Sequence, residues 1–184
     1  NLLNGMAGAD TLDGGAGNDL YIVDNIGDVV IERGTSPAEI DTVYSYIDYT
    51  LTSNVEALAL VGGANLNGTG NTLNNVITGN FGDNLLDGGI GTDIMIGDLG
   101  NDTYIVDNIG DVVSETSTLI NEIDTVRSSV TYTLSANVEN LTLTGAASIS
   151  GTGNALDNVI IGNAQGNLLN GMAGADTLDG GAGN

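Results

Sequence analysis

The first thirty residues, NLLNGMAGADTLDGGAGNDLYIVDNIGDVV (1–30), decide the fold because they place a large apolar residue at every ninth position. These apolar residues are Leu3, Leu12, Tyr21 and Val30. A turn rich in glycine and aspartate, such as GGAGND (14–19), fills the interval before each repeat of the pattern. A helix needs apolar spacing near 3.6 residues, so this period excludes a helix and favours short strands joined by tight turns. Two nine-residue repeats then form one coil of about 18 residues, stacked on the next coil by parallel strand pairing.

The same period returns further along the chain, inside a second and longer period. Its later apolar positions are Ile77, Leu86, Met95, Tyr104 and Val113, followed by Ile160, Leu169 and Leu178. The string YIVDNIGDVV occurs at 21–30 and again at 104–113, and the segment 1–18 returns letter for letter at 167–184. Internal repeats of this kind predict a solenoid. We therefore expect one continuous solenoid fragment over 1–184, made of repeat units 1–83 and 84–166 and the start of the next unit at 167–184, as a window on a longer array.

The composition excludes several classes of function. The 184 residues carry 24 Asp and Glu against 2 Lys and Arg, a formal net charge of −22, with no Cys and no His. Such a chain repels nucleic acid and anionic membranes, and no apolar run approaches the roughly 20 residues that span a bilayer. Disulfides, thiolate metal sites and histidine bases are absent. With carboxylates and backbone carbonyls as the ligands on offer, calcium is the metal that suits the chain best.

The middle of each repeat unit lacks the glycine turn. Residues 32–74 and 115–157 still alternate apolar and polar positions, as in VEALALV (55–61) and VENLTLT (138–144). Alternation of this kind predicts strands. We expect longer, calcium-free coils of the same solenoid there.

The turns carry a specific resemblance. GGAGNDLYI (14–22) and GGIGTDIMI (88–96) follow the pattern GGxGxDxUx, in which U is a large apolar residue. This pattern resembles the calcium-binding RTX family, and it is a known signature of calcium-binding β-helix repeats. The resemblance implies an all-β fold, a right-handed parallel β-roll or β-helix solenoid with short strands and Gly/Asp calcium-binding turns, and Ca²⁺ as the bound ion.

The resemblance also implies a set of ligands for calcium between one turn and the next but one, which lie on the same side of the roll. The sixth position of each turn supplies the side chain, and aspartate occupies both ends in Asp10 with Asp28 and in Asp93 with Asp111. The family pattern adds backbone carbonyls from the flanking turns, which are Met6, Gly8, Val23 and Asn25 at the first pair and Gly89, Gly91, Val106 and Asn108 at the second. Pairs with one asparagine are expected to bind calcium more weakly, and they are Asn1 with Asp19, Asn75 with Asp93, Asn84 with Asp102, and Asn158 with Asp176. An amide ladder between coils is the open alternative for Asn1, Asn84 and Asn167. The turn VDNIGD (23–28 and 106–111) departs from the pattern, since valine replaces its first glycine.

The function implied by the resemblance is that of a structural repeat and not of an enzyme. Carboxylate pairs that recur at every coil argue against a catalytic pair, which would normally occur once. We expect a calcium-folded rigid spacer in an adhesin or extracellular filament, on the surface of or secreted by a Gram-negative-type bacterium through type I secretion. The expected partners are calcium ions, neighbouring repeats of the same chain, and other copies in a filament. The alternative is a C-terminal secretion and folding module of a type I-secreted enzyme or toxin. A carbohydrate- or ice-binding face is a weaker third hypothesis, because Thr11, Thr103 and Thr177 are scattered among other residue types.

Overall fold

The computed structural model describes residues 1–119 and 121–183, and the regular elements in these ranges are strands. Twenty short strands follow one another along the chain. They are β1 (Leu2–Asn4), β2 (Thr11–Gly15), β3 (Leu20–Val23), β4 (Val29–Glu32), β5 (Thr42–Ser45), β6 (Tyr49–Thr50), β7 (Ala57–Leu60), β8 (Asn67–Thr69), β9 (Val76–Thr78), β10 (Leu85–Asp87), β11 (Ile94–Ile96), β12 (Thr103–Val106), β13 (Val112–Ser114), β14 (Thr125–Ser128), β15 (Tyr132–Thr133), β16 (Asn140–Leu143), β17 (Gly151–Thr152), β18 (Val159–Ile161), β19 (Leu169–Asn170) and β20 (Thr177–Asp179).

Each strand pairs with the strand two places before or after it in the chain, and the pairs are parallel. The odd-numbered strands β1 to β13 form a seven-stranded sheet, and the even-numbered strands β6 to β20 form an eight-stranded sheet. Two shorter sheets, β2–β4 and β15–β17–β19, keep the same alternation. Two strands therefore make one coil, and the predicted all-β parallel solenoid is confirmed, with about ten coils. The described part of the chain contains no helix long and apolar enough to cross a membrane.

The core is the predicted column of apolar side chains, stacked in register between the two faces. In the eight-stranded sheet, for example, Leu86 lies beside Tyr104, and Tyr104 lies beside Val126, all fully buried. Burying a side chain of this size stabilises a fold by about 1.5–3 kcal/mol. Leu178, in the last described coil, is 47% exposed because a coil is stacked on one side of it only. The nine-residue spacing thus identifies the inward-facing positions.

Glycine is required where successive turns touch. A Cβ on Gly91 would lie 2.3 Å from the carbonyl oxygen of Leu73, which is a backbone atom of the turn one coil earlier. A Cβ on Gly100 would likewise lie 2.6 Å from the carbonyl of Gly82, and the φ angle of Gly100 is +116°. Larger residues would force the turns apart and open the strand spacing of about 4.8 Å. The glycine at the fourth position of the nonapeptide is therefore required for packing at Gly91 and Gly100.

The coils differ in length in the middle of each repeat unit. In the nonapeptide region, neighbouring strands are two nonapeptides apart along the chain, as with Ile94 beside Val112. The residues that precede strands β3, β5, β7 and β9 are Asp19, Asp41, Glu56 and Asn75, with successive sequence separations of 22, 15 and 19. The prediction of longer coils is correct for the first and third of these. It is wrong for the second, which is shorter because a tight connection brings the chain straight back onto the next strand.

Each repeat unit contains an odd number of strands. The same sequence forms β3 in the seven-stranded sheet and β12 in the eight-stranded sheet, nine strands later. One unit is therefore four and a half coils, and consecutive units begin on opposite faces. The shift by two units, from β2 to β20, spans eighteen strands, or nine whole coils. A shift by two units therefore brings the segment that is identical at 1–18 and 167–184 back to strands of the same parity.

Candidate metal sites

The residues that immediately precede the strands stack into a ladder of carboxylates and amides at each edge of the solenoid. The first ladder consists of Asn1, Asp19, Asp41, Glu56, Asn75, Asp93 and Asp111. The second ladder consists of Asn84, Asp102, Asp124, Glu139, Asn158 and Asp176. Asp10 and Asp28 precede strands β2 and β4, which are even-numbered like the strands of the second ladder. Residues of the first ladder correspond to residues of the second ladder one repeat unit further along the sequence. The sixth position of the nonapeptide is thus part of a continuous polar edge.

The structure brings together both aspartate pairs predicted from the sequence. The backbone N–H of Asp10 donates a hydrogen bond to Asp28 Oδ1 at 3.0 Å, and that of Asp93 donates to Asp111 Oδ1 at 3.1 Å. Asp93 and Asp111 are buried, while Asp10 and Asp28 are partly buried. Each pair therefore joins two adjacent coils by a backbone-to-carboxylate bond.

The turn VDNIGD closes on its own aspartate. Asp28 Oδ2 accepts the backbone N–H groups of Asp24 and Asn25, both at 3.1 Å. Burial alone would raise the pKa of Asp28, but these bonds and the bond from Asp10 together lower it. The carbonyl of Asn25 accepts the N–H of Asp28 at 2.9 Å. Asp28 is thus held ionised by backbone donors, in spite of the missing first glycine.

The equivalent turn of the second unit is built in the same way. Asp111 Oδ2 accepts the N–H groups of Asp107 and Asn108 at 3.2 and 3.0 Å. The carbonyl of Asn108 accepts the N–H of Asp111 at 3.1 Å. A carbonyl oxygen has two lone pairs, so the predicted carbonyl ligands Asn25 and Asn108 each keep one for a further partner.

The glycine turns fold around the carboxylate of the first member of each pair. A Cβ on Gly88 would lie 2.5 Å from Asp93 Oδ2, and a Cβ on Gly91 would lie 2.8 Å from Asp93 Oδ1. The Cβ of a residue at position Gly8 would lie 3.6 Å from Asp10 Oδ2. Gly89, with a φ of +75°, packs on the carbonyl of Asn71 one coil earlier. The predicted backbone ligands Gly8, Gly89 and Gly91 therefore belong to turns that surround an aspartate.

Four buried carboxylate oxygens lack a hydrogen-bond partner among the described residues. They are the Oδ2 atoms of Asp10, Asp19, Asp93 and Asp102. Each belongs to the first member of a pair with aspartate at both ends, because Asp19 is followed on its ladder by Asp41, and Asp102 by Asp124. Leaving a buried carboxylate oxygen unpaired is costly in free energy, and native proteins rarely do so without an ion or a water there. These four atoms fit a cation that binds between two aspartate-bearing turns.

Asparagine in the same ladders is fully satisfied by the protein. Asn84 Nδ2 donates to the carbonyl of Leu66 at 2.9 Å and to Asn80 Oδ1 at 3.1 Å, while Asn84 Oδ1 accepts the N–H of Asn80 at 2.7 Å. Asn75 and Asn158 make equivalent bonds to carbonyls of the preceding coil. The amide thus occupies the carbonyls with its own N–H₂ group, which is the geometry of the amide ladder.

The mixed pairs retain the coil-to-coil bond. Asn75 and Asn84 donate their backbone N–H groups to the Oδ1 atoms of Asp93 and Asp102, both at 2.7 Å. Asn158 donates to Asp176 Oδ1 at 2.9 Å. The amino group of Asn1 contacts Asp19 Oδ1. The structure therefore places each predicted partner beside its aspartate.

Two groups of three buried carboxylates were not found by the sequence reasoning. Asp19, Glu32 and Asp41 lie together, as do Asp102, Glu115 and Asp124, with ligand oxygens within 4.8 Å of one another in each group. A step of two nonapeptides leads from Asp19 to Pro37 and misses Asp41, because Asp19 and Asp41 are separated by 22 positions. The recurring DTV strings at Asp41 and Asp124 carried the missing signal, since both place an aspartate directly before a strand.

Burial raises the pKa values of four ladder carboxylates. It raises the pKa of Asp93 to about 6 and that of Asp102 to about 7, against an opposing backbone hydrogen bond in each case, and nearby carboxylates add to the rise. Burial likewise raises the pKa of Asp41 to about 6 and that of Asp124 to about 7. The folded chain thus pays a penalty for holding these groups ionised, which a bound cation would remove.

Cations of the protein itself do not relieve this charge. Arg33 contacts the partly exposed Asp13 at 2.8 Å, and Arg127 lies on the exposed side of β14. In the described ranges, no lysine or arginine side chain lies within 4.0 Å of a ladder carboxylate. The donor set is therefore oxygen alone, from carboxylates and carbonyls, which is the set that Ca²⁺ prefers.

The chain is a parallel β-solenoid, and its stacked glycine turns enclose pairs of carboxylates. This combination is typical of calcium-binding repeat proteins. The family model of the RTX calcium-binding nonapeptide repeat (4 copies) matches residues 1–25, 69–104 and 152–184, which together are just over half of the chain. The chain belongs to the RTX calcium-binding nonapeptide repeat family. Searches of curated proteins and of solved structures each gave no significant match.

Proposed function

We propose that this chain is a calcium-folded rigid spacer of a secreted or cell-surface bacterial protein, and that it has no catalytic role. The observation that carries the proposal is the orphaned Oδ2 atom in each nonapeptide aspartate pair, that of Asp10 beside Asp28 and that of Asp93 beside Asp111. Calcium at these atoms joins one coil to the next. In this proposal the nonapeptide sites are Asp10 with Asp28 and Asp93 with Asp111.

In this proposal, no ion binds at the pairs whose first member is asparagine. Where asparagine is the first member of a pair, as at Asn84, its amide already donates to the carbonyl of Leu66 in the preceding coil and to Asn80 Oδ1. A divalent cation would have to displace that amide, and the site would offer the cation one negative charge fewer than a pair of aspartates does. The mixed pairs therefore serve as permanent coil-to-coil contacts.

Calcium acts on folding by mass action. A site that binds only the folded chain stabilises it by about 2.7 kcal/mol when the free ion is at 100 times its dissociation constant. In a cell interior with little free calcium, the net charge of −22 opposes stacking of the ladders. Outside the cell, millimolar calcium favours the solenoid. This dependence suits type I secretion, in which the chain leaves the cell unfolded.

The repeat architecture supports the role of a spacer. Because each coil contacts its neighbours through strand pairing, length grows with the number of units without a new fold. One repeat unit of four and a half coils extends the solenoid by about 22 Å, at about 4.8 Å per coil. Carboxylate pairs repeated along both edges are structural in this proposal, since a catalytic pair would need a unique environment.

Side-by-side association of such rods into a filament is part of the proposal. Val76, Ile94 and Val112 lie in register on the outer side of the seven-stranded sheet and are 40%, 41% and 50% exposed. A row of apolar side chains on a flat sheet supports contact with a second copy. Sedimentation velocity in calcium across a range of protein concentrations tests this, and a monomer at all concentrations would contradict it.

Calcium-dependent folding is the central test. Far-ultraviolet circular dichroism should report low strand content in EDTA and a rise in strand content on addition of calcium, while magnesium at the same concentration has a much smaller effect. Small-angle scattering in calcium should give an elongated particle. Strand content that is the same in EDTA and in calcium would overturn the proposal.

A further inference from the structure

The long coil of each repeat unit, which runs from β3 to β5 in the first unit and from β12 to β14 in the second, carries a glutamate whose side chain points into the solenoid. Glu32 and Glu115 are each 7% exposed. Glu115 Oε2 accepts a hydrogen bond from the hydroxyl of Tyr104 at 2.7 Å, and its Oε1 accepts the backbone N–H of Ser117 at 2.7 Å. Tyr21 and Gly34 hold Glu32 in the same way. A buried glutamate fixed at both oxygens is therefore a built feature that recurs in both units.

This glutamate converges on the orphaned oxygen of the preceding aspartate. Asp102 is 1% exposed, and its Oδ2 lacks a hydrogen-bond partner in the described ranges. A Cβ on Gly97 would lie 2.3 Å from Asp102 Oδ2 and 2.7 Å from Glu115 Oε2, so both oxygens face the same small space above this glycine. Asp124 completes the group, with the ligand oxygens of the three residues within 4.8 Å of one another.

The type of ligand suits calcium. The oxygens of each group lie within 4.8 Å of one another, which is close enough for one cation to bind all three residues. Mg²⁺ prefers to keep several waters, for which the tight space between Gly97, Tyr104 and the carboxylates leaves little room. A buried group made of carboxylates alone therefore favours the larger ion.

We propose that Asp102, Glu115 and Asp124 bind a calcium ion, and that Asp19, Glu32 and Asp41 bind another, as a second class of site outside the nonapeptide register. The proposed function needs only the nonapeptide sites, so this inference goes beyond it. The expectation of calcium-free coils at 32–74 and 115–157 is replaced by coils that are anchored by calcium at the start of each stretch. The site closes the long coil onto the regular coil before it.

A small cavity borders each group. In the second unit it has a volume of about 120 Å³, and its wall includes Asp124 and Glu139. In the first unit the equivalent cavity is about 160 Å³ and includes Asp41 and Glu56. The glutamates Glu56 and Glu139 accept the backbone N–H groups of Asp41 and Asp124, both at 2.8 Å. They orient the outer aspartate, which is buried and forms part of the cavity wall.

The charge of the group predicts its preference among ions. Three carboxylates leave a net charge of −1 with Ca²⁺ and of zero with a trivalent lanthanide. Tb³⁺, an oxygen-seeking ion of similar size, should therefore bind this site more tightly than Ca²⁺ does. Tyr104 lies within hydrogen-bond distance of a ligand, so its excited ring should transfer energy to bound Tb³⁺.

The experiment uses the full chain and terbium emission excited through tyrosine. In a Tyr21→Phe background, the emission lost on the further change Tyr104→Phe reports the site at Asp102, Glu115 and Asp124. Glu115→Gln or Asp124→Asn should abolish this Tyr104-dependent emission and lower calcium stoichiometry by one ion per chain. Asp93→Asn is the matched control, because it removes a buried carboxylate from a nonapeptide pair and should leave the Tyr104-dependent emission intact.

The outcomes separate this site from the proposed function. Calcium-induced strand formation together with emission that Glu115→Gln and Asp124→Asn leave unchanged would overturn the site and leave the spacer function standing. Emission abolished by these changes in a chain that folds equally well in EDTA would support the site and contradict the function. Circular dichroism in calcium confirms that each variant folds. If Glu115→Gln does not fold, Asp124→Asn carries the test, and a calcium stoichiometry unchanged by that substitution would overturn the site.

Discussion

Replacing Asp93 by asparagine should make the calcium-free chain fold better and respond less to calcium. Asp93 is fully buried, and its Oδ2 lacks a partner in the described part of the chain. Its neighbour on the ladder, Asn75, shows how an amide fits the same kind of position, with its N–H₂ group on carbonyls of the preceding coil. The substitution exchanges an unpaired negative charge for a neutral N–H₂ donor of the kind that Asn75 carries.

The size of the effect follows from the pKa of Asp93. Burial, opposed by a backbone hydrogen bond and reinforced by Asp111, raises it from 3.8 to about 6. At pH 8 the ionised group therefore disfavours the folded state by about 3 kcal/mol, or roughly a hundred-fold in the folding equilibrium constant. The bond from the Asn75 N–H to Oδ1, 2.7 Å long, is retained by the amide oxygen. Most of this destabilisation should thus appear as a gain in stability in EDTA.

The assay is equilibrium folding followed by circular dichroism at pH 8 in EDTA. Urea is used if the chain is folded without calcium, and trimethylamine N-oxide, which favours compact states, is used if it is not. Asp24→Asn is the matched control, because Asp24 is exposed and the change removes the same charge. In saturating calcium the order should reverse, since Asp93→Asn loses one ion. A variant that is less stable than the parent in EDTA would refute the reasoning.

Two further predictions concern pH and packing. The pKa values of Asp102 and Asp124 are raised from 3.8 to about 7 in the folded state, so the folded chain holds protons that the unfolded chain has released between about pH 4 and pH 7. In EDTA its free energy of unfolding should therefore fall by a few kcal/mol as pH rises from 5 to 8. If the chain is folded in EDTA, the urea midpoint should be higher at pH 5 than at pH 8; if it is not, folding should need less trimethylamine N-oxide at pH 5. Equal midpoints would contradict this. Gly91→Ala should destabilise the solenoid by about 2 kcal/mol or more both with and without calcium, because the added Cβ would lie 2.3 Å from the backbone oxygen of Leu73. Gly63→Ala, where a Cβ would meet nothing within 4 Å, is the control and should change the unfolding midpoint little.

The nonapeptide part of the fold could be predicted from the sequence because its period is rigid. Strands that are two nonapeptides apart place Asp10 beside Asp28 and Asp93 beside Asp111 without any further information. The column of apolar core residues could also be predicted from the sequence, because each large residue that precedes a polar turn must face inward when two sheets share one core. Periodicity alone fixes these contacts.

The three-carboxylate groups could not be predicted by the same arithmetic. The long coil shifts Asp41 and Asp124 away from the place where a step of two nonapeptides looks for them. Glu32 is the last residue of β4 and Glu115 follows β13, at strand ends where sequence patterns place solvated charges more often than buried ones. Burial of these glutamates depends on the hydroxyls of Tyr21 and Tyr104, which the apolar column identifies only as core. Contacts across a changed register need the structure.

Asparagine at the ladder positions left two alternatives that sequence could not separate. Aspartate and asparagine have the same shape, so both fit the turn, and the difference lies in whether the second side-chain atom donates or accepts. Asn84 donates to Leu66 and Asn80, while Asp102 in the next coil has an oxygen without a partner among the residues described. In the proposed function, one atom per turn thus decides whether calcium binds there.

Because each repeat unit contains four and a half coils, an array with an odd number of units differs in orientation from an array with an even number. Gain or loss of a single unit turns everything beyond it by half a revolution about the rod axis, whereas gain or loss of two units changes only the distance. A domain carried at the far end would point to one side of the rod or the other according to whether the unit count is odd or even. Recombination between adjacent units therefore changes direction as well as length, and recombination between two-unit blocks changes length alone.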